Sequence, residues 1–80
     1  MTKADIFEVV KKNVLEIVPG LEPEAVSVNK SLSELGANSV DRMEVITMSM
    51  EDLDVSIPLL SFAKAVNIGG IVDIFFANLG

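Results

Sequence analysis

Ser39 closes the run Leu35-Gly36-Ala37-Asn38 and opens Val40-Asp41-Arg42-Met43-Glu44. A glycine and a capping residue end a loop there, and an amphipathic segment rich in carboxylates begins. Asn38 is a preferred helix N-cap, with Asp41 at the third helical position. Ser39 then falls at the first helical position, where the backbone has no use for its hydroxyl. A serine so placed points outward and is reachable by another protein. The first helical turn also offers unpaired N–H groups and the positive end of the dipole. A phosphodiester on Ser39 would lie close to that end. Asp41 works against this, as a second negative charge within reach. The plain alternative is a serine that only decorates the start of a helix.

Other chemistry is mostly excluded by what the chain lacks. It has no histidine, so the commonest general base and the commonest transition-metal ligand are missing. It has no cysteine, so it carries no disulfide, thiolate nucleophile or thiolate metal site of its own. No EF-hand spacing of acidic residues is present. Asp52 and Asp54 offer at most a loose surface site for a divalent ion. Eighty residues make one domain, taken as 1–80, too short to line a deep cleft and also bury a stable core. The chain is therefore expected to be no enzyme.

The net charge of −6 repels nucleic acid and anionic membrane surfaces and attracts a basic protein partner. No uncharged run approaches the roughly 18 residues of a membrane span. The N-terminal Met1-Thr2-Lys3-Ala4-Asp5 lacks the apolar region of a signal peptide. A soluble, cytoplasmic monomer is expected.

The elements that must position Ser39 are all helical. Thr2 with Asp5 is a capping-box pattern. From Lys3 to Val18, Phe7, Val10, Val14 and Ile17 recur on one helical face. Glu8 and Lys12 form an i,i+4 pair of favourable order. Pro19-Gly20 ends this helix. A long connection to Ala37 follows, with a helical turn expected at Pro23-Glu24. Val26, Val28, Leu32 and Leu35 are its expected core anchors. The second helix spans about Ser39 to Leu53. Pro58 fits the first turn of a short third helix reaching about Ala65. Asn67 caps a last helix carrying Ile68, Ile71, Val72, Phe75 and Leu79 inward. Gly69 and Gly70 each weaken that helix by about 1 kcal/mol relative to alanine. The expected fold is all-α, a small four-helix bundle with three long helices and one short one.

The second helix has two faces. Val45, Ile46, Ser49 and Leu53 form a core stripe. Val40, Glu44, Thr47 and Glu51 form the other, with Met43 and Met50 at one border and Asp41, Met48 and Asp52 at the opposite one. Between Asp41 and Asp54 stand five carboxylates and one arginine, most of the acidic excess of the chain. Such charge beside exposed Val40, Met43 and Met48 reads as a docking surface for small, transient contacts. A merely solvated face is the alternative.

The pattern of loop, Leu-Gly-Ala, polar residue, Ser39, apolar residue, Asp41 and acidic helix resembles the acyl carrier protein family. The likeness extends over the whole chain, including Pro58 before a short third helix. It implies that Ser39 carries 4'-phosphopantetheine, added by a phosphopantetheinyl transferase, and that the thiol of this group holds acyl thioesters. Most carrier proteins have Asp before the serine, where this chain has Asn38. The run Asn38-Ser39-Val40-Asp41-Arg42-Met43-Glu44 is similar to the discrete donor carriers of polyketide β-branching cassettes. Those deliver an acetyl group to a 3-hydroxy-3-methylglutaryl-synthase-like (HMG-synthase-like) enzyme. Acceptor carriers of such pathways typically have tryptophan six positions before the serine; here that residue is Ser33, and the chain has no tryptophan. The resemblance implies a decarboxylating ketosynthase or acyltransferase as acetyl source. It also implies a partner surface of Asn38, Val40, Asp41, Arg42, Met43, Glu44, Thr47 and Glu51. Arg42, basic on an acidic helix, is the candidate for partner discrimination. Alternatives are a fatty-acid-synthesis or peptidyl carrier, or an unmodified helical interaction module.

Overall fold

The computed structural model describes residues 1–79. Three α-helices, α1 (Lys3–Ile17), α2 (Ser39–Leu53) and α3 (Ile68–Leu79), are joined by loops that contain 3-10 turns at Pro23–Ala25 and Leu59–Phe62. α1 packs against both α2 and α3. No strand occurs among the described residues.

The expected short third helix is a 3-10 stretch instead, so the α-helices among the described residues number three rather than four. Pro58 precedes this stretch in an extended conformation rather than opening its first turn. Ser61, Ala63 and Ala65 each donate to the carbonyl three residues back, those of Pro58, Leu60 and Phe62. The reason is reach. Ile57 and Phe62 must both enter the core within a few residues. A short, tight 3-10 turn does this where an α-helix has no length to form.

α1 starts as the sequence predicts. Thr2 Oγ1 accepts from the Asp5 N–H at 3.2 Å and Asp5 Oδ2 accepts from the Thr2 N–H at 2.9 Å. Those bonds hold the Asp5 carboxyl below the usual range. The buried face, however, is Ile6, Val10, Asn13 and Val14; Phe7 and Ile17 are only half-buried. Spacings of four, three and one put these four in a single stripe. Lys12 makes its ion pair with Asp52 at 3.3 Å, across to α2, rather than with Glu8.

Asn13 explains why Ser49 belongs to the core stripe of α2. Its Nδ2 donates to Ser49 Oγ at 3.0 Å and to Asp52 Oδ2 at 3.1 Å. Ser49 Oγ in turn donates to the Val45 carbonyl at 2.8 Å. The hydrogen bond from Asn13, then that from Lys12, holds the Asp52 carboxyl below its ordinary value. A folded-state value lower than the unfolded one means this contribution is lost as pH falls through it. Asn13 Oδ1 is buried and accepts no hydrogen bond, so the two bonds from Nδ2 are what tie the amide to α2 and fix the register of α1 on it, since an amide with no partner at all would be costly.

The long connection is pinned at both ends of its second half. Val26, Leu32 and Ala37 are buried and Leu35 half-buried, but Val28 is exposed. Its anchor is the main chain, not the side chain. The Val28 carbonyl accepts from the Gly69 N–H and the Lys30 carbonyl from the Ile68 N–H, both at 2.9 Å. With Asn67 Oδ1 accepting from the Gly70 N–H at 2.9 Å, the first turn of α3 has its donors satisfied. A Cβ on residue 69 would lie 3.1 Å from the Val28 oxygen. Gly69→Ala should therefore lower stability by about 1 kcal/mol in urea unfolding, despite the better helix propensity of alanine. A gain in stability would show that the loop carbonyl moves aside freely.

Candidate functional site

The start of α2 is built by two nested turns. Ser31 and Glu34 form a reciprocal pair: the Ser31 N–H donates to Glu34 Oε1 and the Glu34 N–H to Ser31 Oγ, each at 3.0 Å. These bonds hold the Glu34 carboxyl below its usual range. The spelling Ser-x-x-Glu is itself a capping-box signal, which the sequence reading passed over. Gly36 then adopts a φ of +97°, and the Ala37 N–H returns to the Leu32 carbonyl at 3.0 Å. Buried Ala37 fastens the end of the loop. The second turn is the predicted cap. Asn38 Oδ1 accepts from the Asp41 N–H at 2.8 Å, and Asp41 Oδ2 accepts from the Asn38 N–H at 3.1 Å.

Ser39 occupies the first position of α2 and is exposed. Its Oγ makes no bond to the backbone and accepts one from Arg42 Nη2 at 3.1 Å. Arg42 lies three residues on, the spacing that places two side chains on one helical face. Asp41, expected to repel an anion at Ser39, is half-buried with its carboxylate engaged on the Asn38 N–H.

The acidic-apolar face of α2 is assembled as expected except at Met48, which is half-buried rather than exposed. Val40, Met43, Glu44, Thr47 and Glu51 are exposed, Val40 to 62% and Met43 to 53%. Val40, Met43, Glu44, Thr47 and Met48 line a shallow apolar depression on it. Of the border methionines, Met48 and Met50 are half-buried, and Met50 Sδ accepts from the Ile57 N–H at 3.3 Å.

Sequence reasoning missed a second feature. A cleft of about 350 Å³ runs from Ser39 and Arg42 between α2 and the Leu59–Phe62 stretch. Ile46, Phe62 and Ile71 are buried residues along it, and Leu59 and Val66 stand exposed at its edge. An exposed hydroxyl, one cation and an apolar trough thus share one end of the molecule. Arg42 is the one ionisable side chain among the residues that line the cleft. Such a site can hold a covalently attached group whose first atoms are anionic and whose remainder is less polar.

Residues 12–75 match the family described as phosphopantetheine attachment site. The chain is 41% identical over 76 residues to the polyketide biosynthesis acyl-carrier-protein AcpK of Bacillus subtilis (strain 168), covering 95% of this chain and 93% of that one. It also superposes on a chain of the crystal structure of the curacin biosynthetic pathway HMG synthase in complex with acetyl donor-ACP. The TM-score is 0.88 and the identity 43%, over 96% of this chain and 99% of that chain. The residues present fit the group named by the family: a phosphodiester on the Ser39 hydroxyl would stand beside a guanidinium, and an organic arm would have a trough next to it. No helix among the described residues is long and apolar enough to cross a membrane. With residues 12–75 matching that family and 41% identity to a polyketide carrier over 95% of its length, the chain belongs to the phosphopantetheine-attachment family of acyl carrier proteins, whose members are carriers of covalently held 4'-phosphopantetheine.

Proposed function

We propose that Ser39 is the attachment residue and that the chain is the acetyl donor to an HMG-synthase-like β-branching enzyme. One observation carries this reading: a TM-score of 0.88 at 43% identity to a chain of a complex between an HMG synthase and its acetyl donor carrier. The run Asn38-Ser39-Val40-Asp41-Arg42 and the absence of tryptophan support it. When bound, the prosthetic group supplies the thiol that this cysteine-free chain lacks. The chain's own residues hold and present. The Asn38–Asp41 cap fixes the first turn, so the Ser39 hydroxyl projects from a rigid helix end. The exposed face of α2 docks on the partner, and Arg42 interrupts its acidic pattern to discriminate among partners. A phosphopantetheinyl transferase loads Ser39, and a decarboxylating ketosynthase or acyltransferase provides the acetyl group. Tethering turns each encounter of acyl group and enzyme into a local event.

The test is acetyl transfer to a β-branching synthase, compared between this carrier and a generic fatty-acid carrier. Faster transfer from this chain is expected; equal rates would sink the donor role. Glu44→Lys places a cation on the docking face. It should slow association by up to about five-fold, the size of a rim charge, and change dissociation less. Stopped-flow association at two salt concentrations checks this, since added salt should slow the wild type as well. Insensitivity to both changes would move the docking face elsewhere.

A further inference from the structure

We infer that Arg42 is a positioning residue for the prosthetic group, holding its phosphodiester beside the first turn of α2. This rests on Ser39 as the attachment residue. The geometry is local. Arg42 Nη2 lies 3.1 Å from Ser39 Oγ. After loading, that oxygen becomes a bridging atom of the phosphodiester, and the non-bridging oxygens lie two bonds further out, on the phosphorus. A guanidinium already at hydrogen-bond distance from Oγ reaches them by a small rotation.

The electrostatics favour the same contact. Arg42 is the one charged residue among those that line the cleft. Among the described residues the ion pairs are Lys3–Asp73 and Lys12–Asp52, so Arg42 spends its charge on no carboxylate. The sequence explains this. Positions three and four residues away from it on the helix are Ser39, Asn38, Val45 and Ile46, none of them acidic. Asp41, the nearest carboxylate in sequence, is turned onto the Asn38 N–H. A phosphodiester presents two equivalent oxygens to a planar fork of donors, the pairing in which arginine excels. The pair is exposed, so it orients the arm rather than contributing much to stability. It directs the first bonds of the arm over the cleft mouth, between Arg42 and the Leu59–Phe62 wall.

The experiment uses the loaded carrier alone, with no partner enzyme. Wild type, Arg42→Lys and Arg42→Gln are loaded from coenzyme A, and intact mass confirms complete loading of each. Circular dichroism confirms the fold. The readouts are the ³¹P resonance of the phosphodiester and the Nε–Hε cross-peak of Arg42 before and after loading. In wild type the ³¹P resonance should be displaced from that of a small phosphopantetheine diester. In Arg42→Gln it should return to that value, with Arg42→Lys between the two. Added salt should move the wild type toward Arg42→Gln, and the Arg42 cross-peak should shift on loading. Identical ³¹P positions in wild type and Arg42→Gln would overturn the clamp while leaving the carrier reading intact. A wild type that takes up no group would overturn the carrier reading, and the clamp with it.

Discussion

Ser39→Ala protein should take up no mass from coenzyme A and a phosphopantetheinyl transferase, while its helical circular dichroism stays that of the wild type. The loss is expected to be complete because none of the other six serines opens an α-helix; Ser27 and Ser56 lie in loops and Ser61 in the 3-10 stretch, and the remaining three are unsuited for further reasons. Ser49 is fully buried and bonded to Val45 and Asn13. Ser31 is committed to Glu34. Ser33 is exposed and lies along the same cleft, but it stands in the loop rather than at a helix start. Ser33→Ala is therefore the control and should load fully. The fold survives Ser39→Ala because the cap of α2 is made by Asn38 and Asp41. Alanine is also the better helix former, by a few tenths of a kcal/mol. Loading of Ser39→Ala protein, read by intact mass, would remove Ser39 from the site.

The second helix was legible from its first residue to its last because its cap is written in side chains. Asn38 and Asp41 specify the start, and the apolar spacing of Val45, Ile46, Ser49 and Leu53 specifies the inward face. The first helix was legible as a helix but not in its rotation. Apolar residues fall at 6, 7, 9 and 10, so two stripes one residue apart fit the pattern equally well. The deciding residue is Asn13, which hydropathy discounts and whose partner Ser49 is 36 positions away. Val28 misled for a related reason. A β-branched residue in a loop reads as a side-chain anchor, while its carbonyl is what holds α3. The short third element was placed correctly and typed wrongly, since a helical turn of four residues has the same spelling whether α or 3-10.

The site divides along the same line. The exposed serine, the acidic face and the place of Arg42 are properties of one helix, and one-helix periodicity shows them. The cleft is not, because residues near 39–46 meet residues near 59–71 only after the chain has folded. What the periodicity of α2 gives is a hydroxyl with a direction. What tertiary structure adds is a trough beside it whose far wall depends on how firmly the Leu59–Phe62 stretch is held.

That firmness rests in part on α3, and Phe75→Ala should expose that part. Phe75 on α3 is fully buried, with its ring centroid 5.1 Å from that of Phe62 at an interplanar angle of 51°. Phe62 is the buried member of the 3-10 stretch and lines the cleft. Truncating a buried phenylalanine costs about 3–5 kcal/mol. Total stability of a small domain is about 5–15 kcal/mol, and a chain of this size sits toward the low end. At about 4–8 °C per kcal/mol, the midpoint of thermal unfolding should fall by at least about 12 °C. Part of the loss is the aromatic pair itself, about 0.5–1.5 kcal/mol. The adjacent Phe76 supplies the contrast. It is 42% exposed, and the Lys3 ammonium lies over its ring, 5.4 Å from the centroid. Phe76→Ala should cost under about 1 kcal/mol, as for an exposed cation–π contact. Equal melting shifts for the two variants would mean that α3 is rotated from the orientation described. Unequal shifts in the expected order carry a further consequence for the loaded carrier. With Phe75 gone, the Phe62 ring loses its aromatic partner in the core, and the cleft wall should yield before α1 and α2 separate. Hydrogen exchange of the Ser61, Ala63 and Ala65 amides, which close that turn, should then quicken in Phe75→Ala more than exchange within α2. A uniform increase across the chain would assign Phe75 to global stability alone.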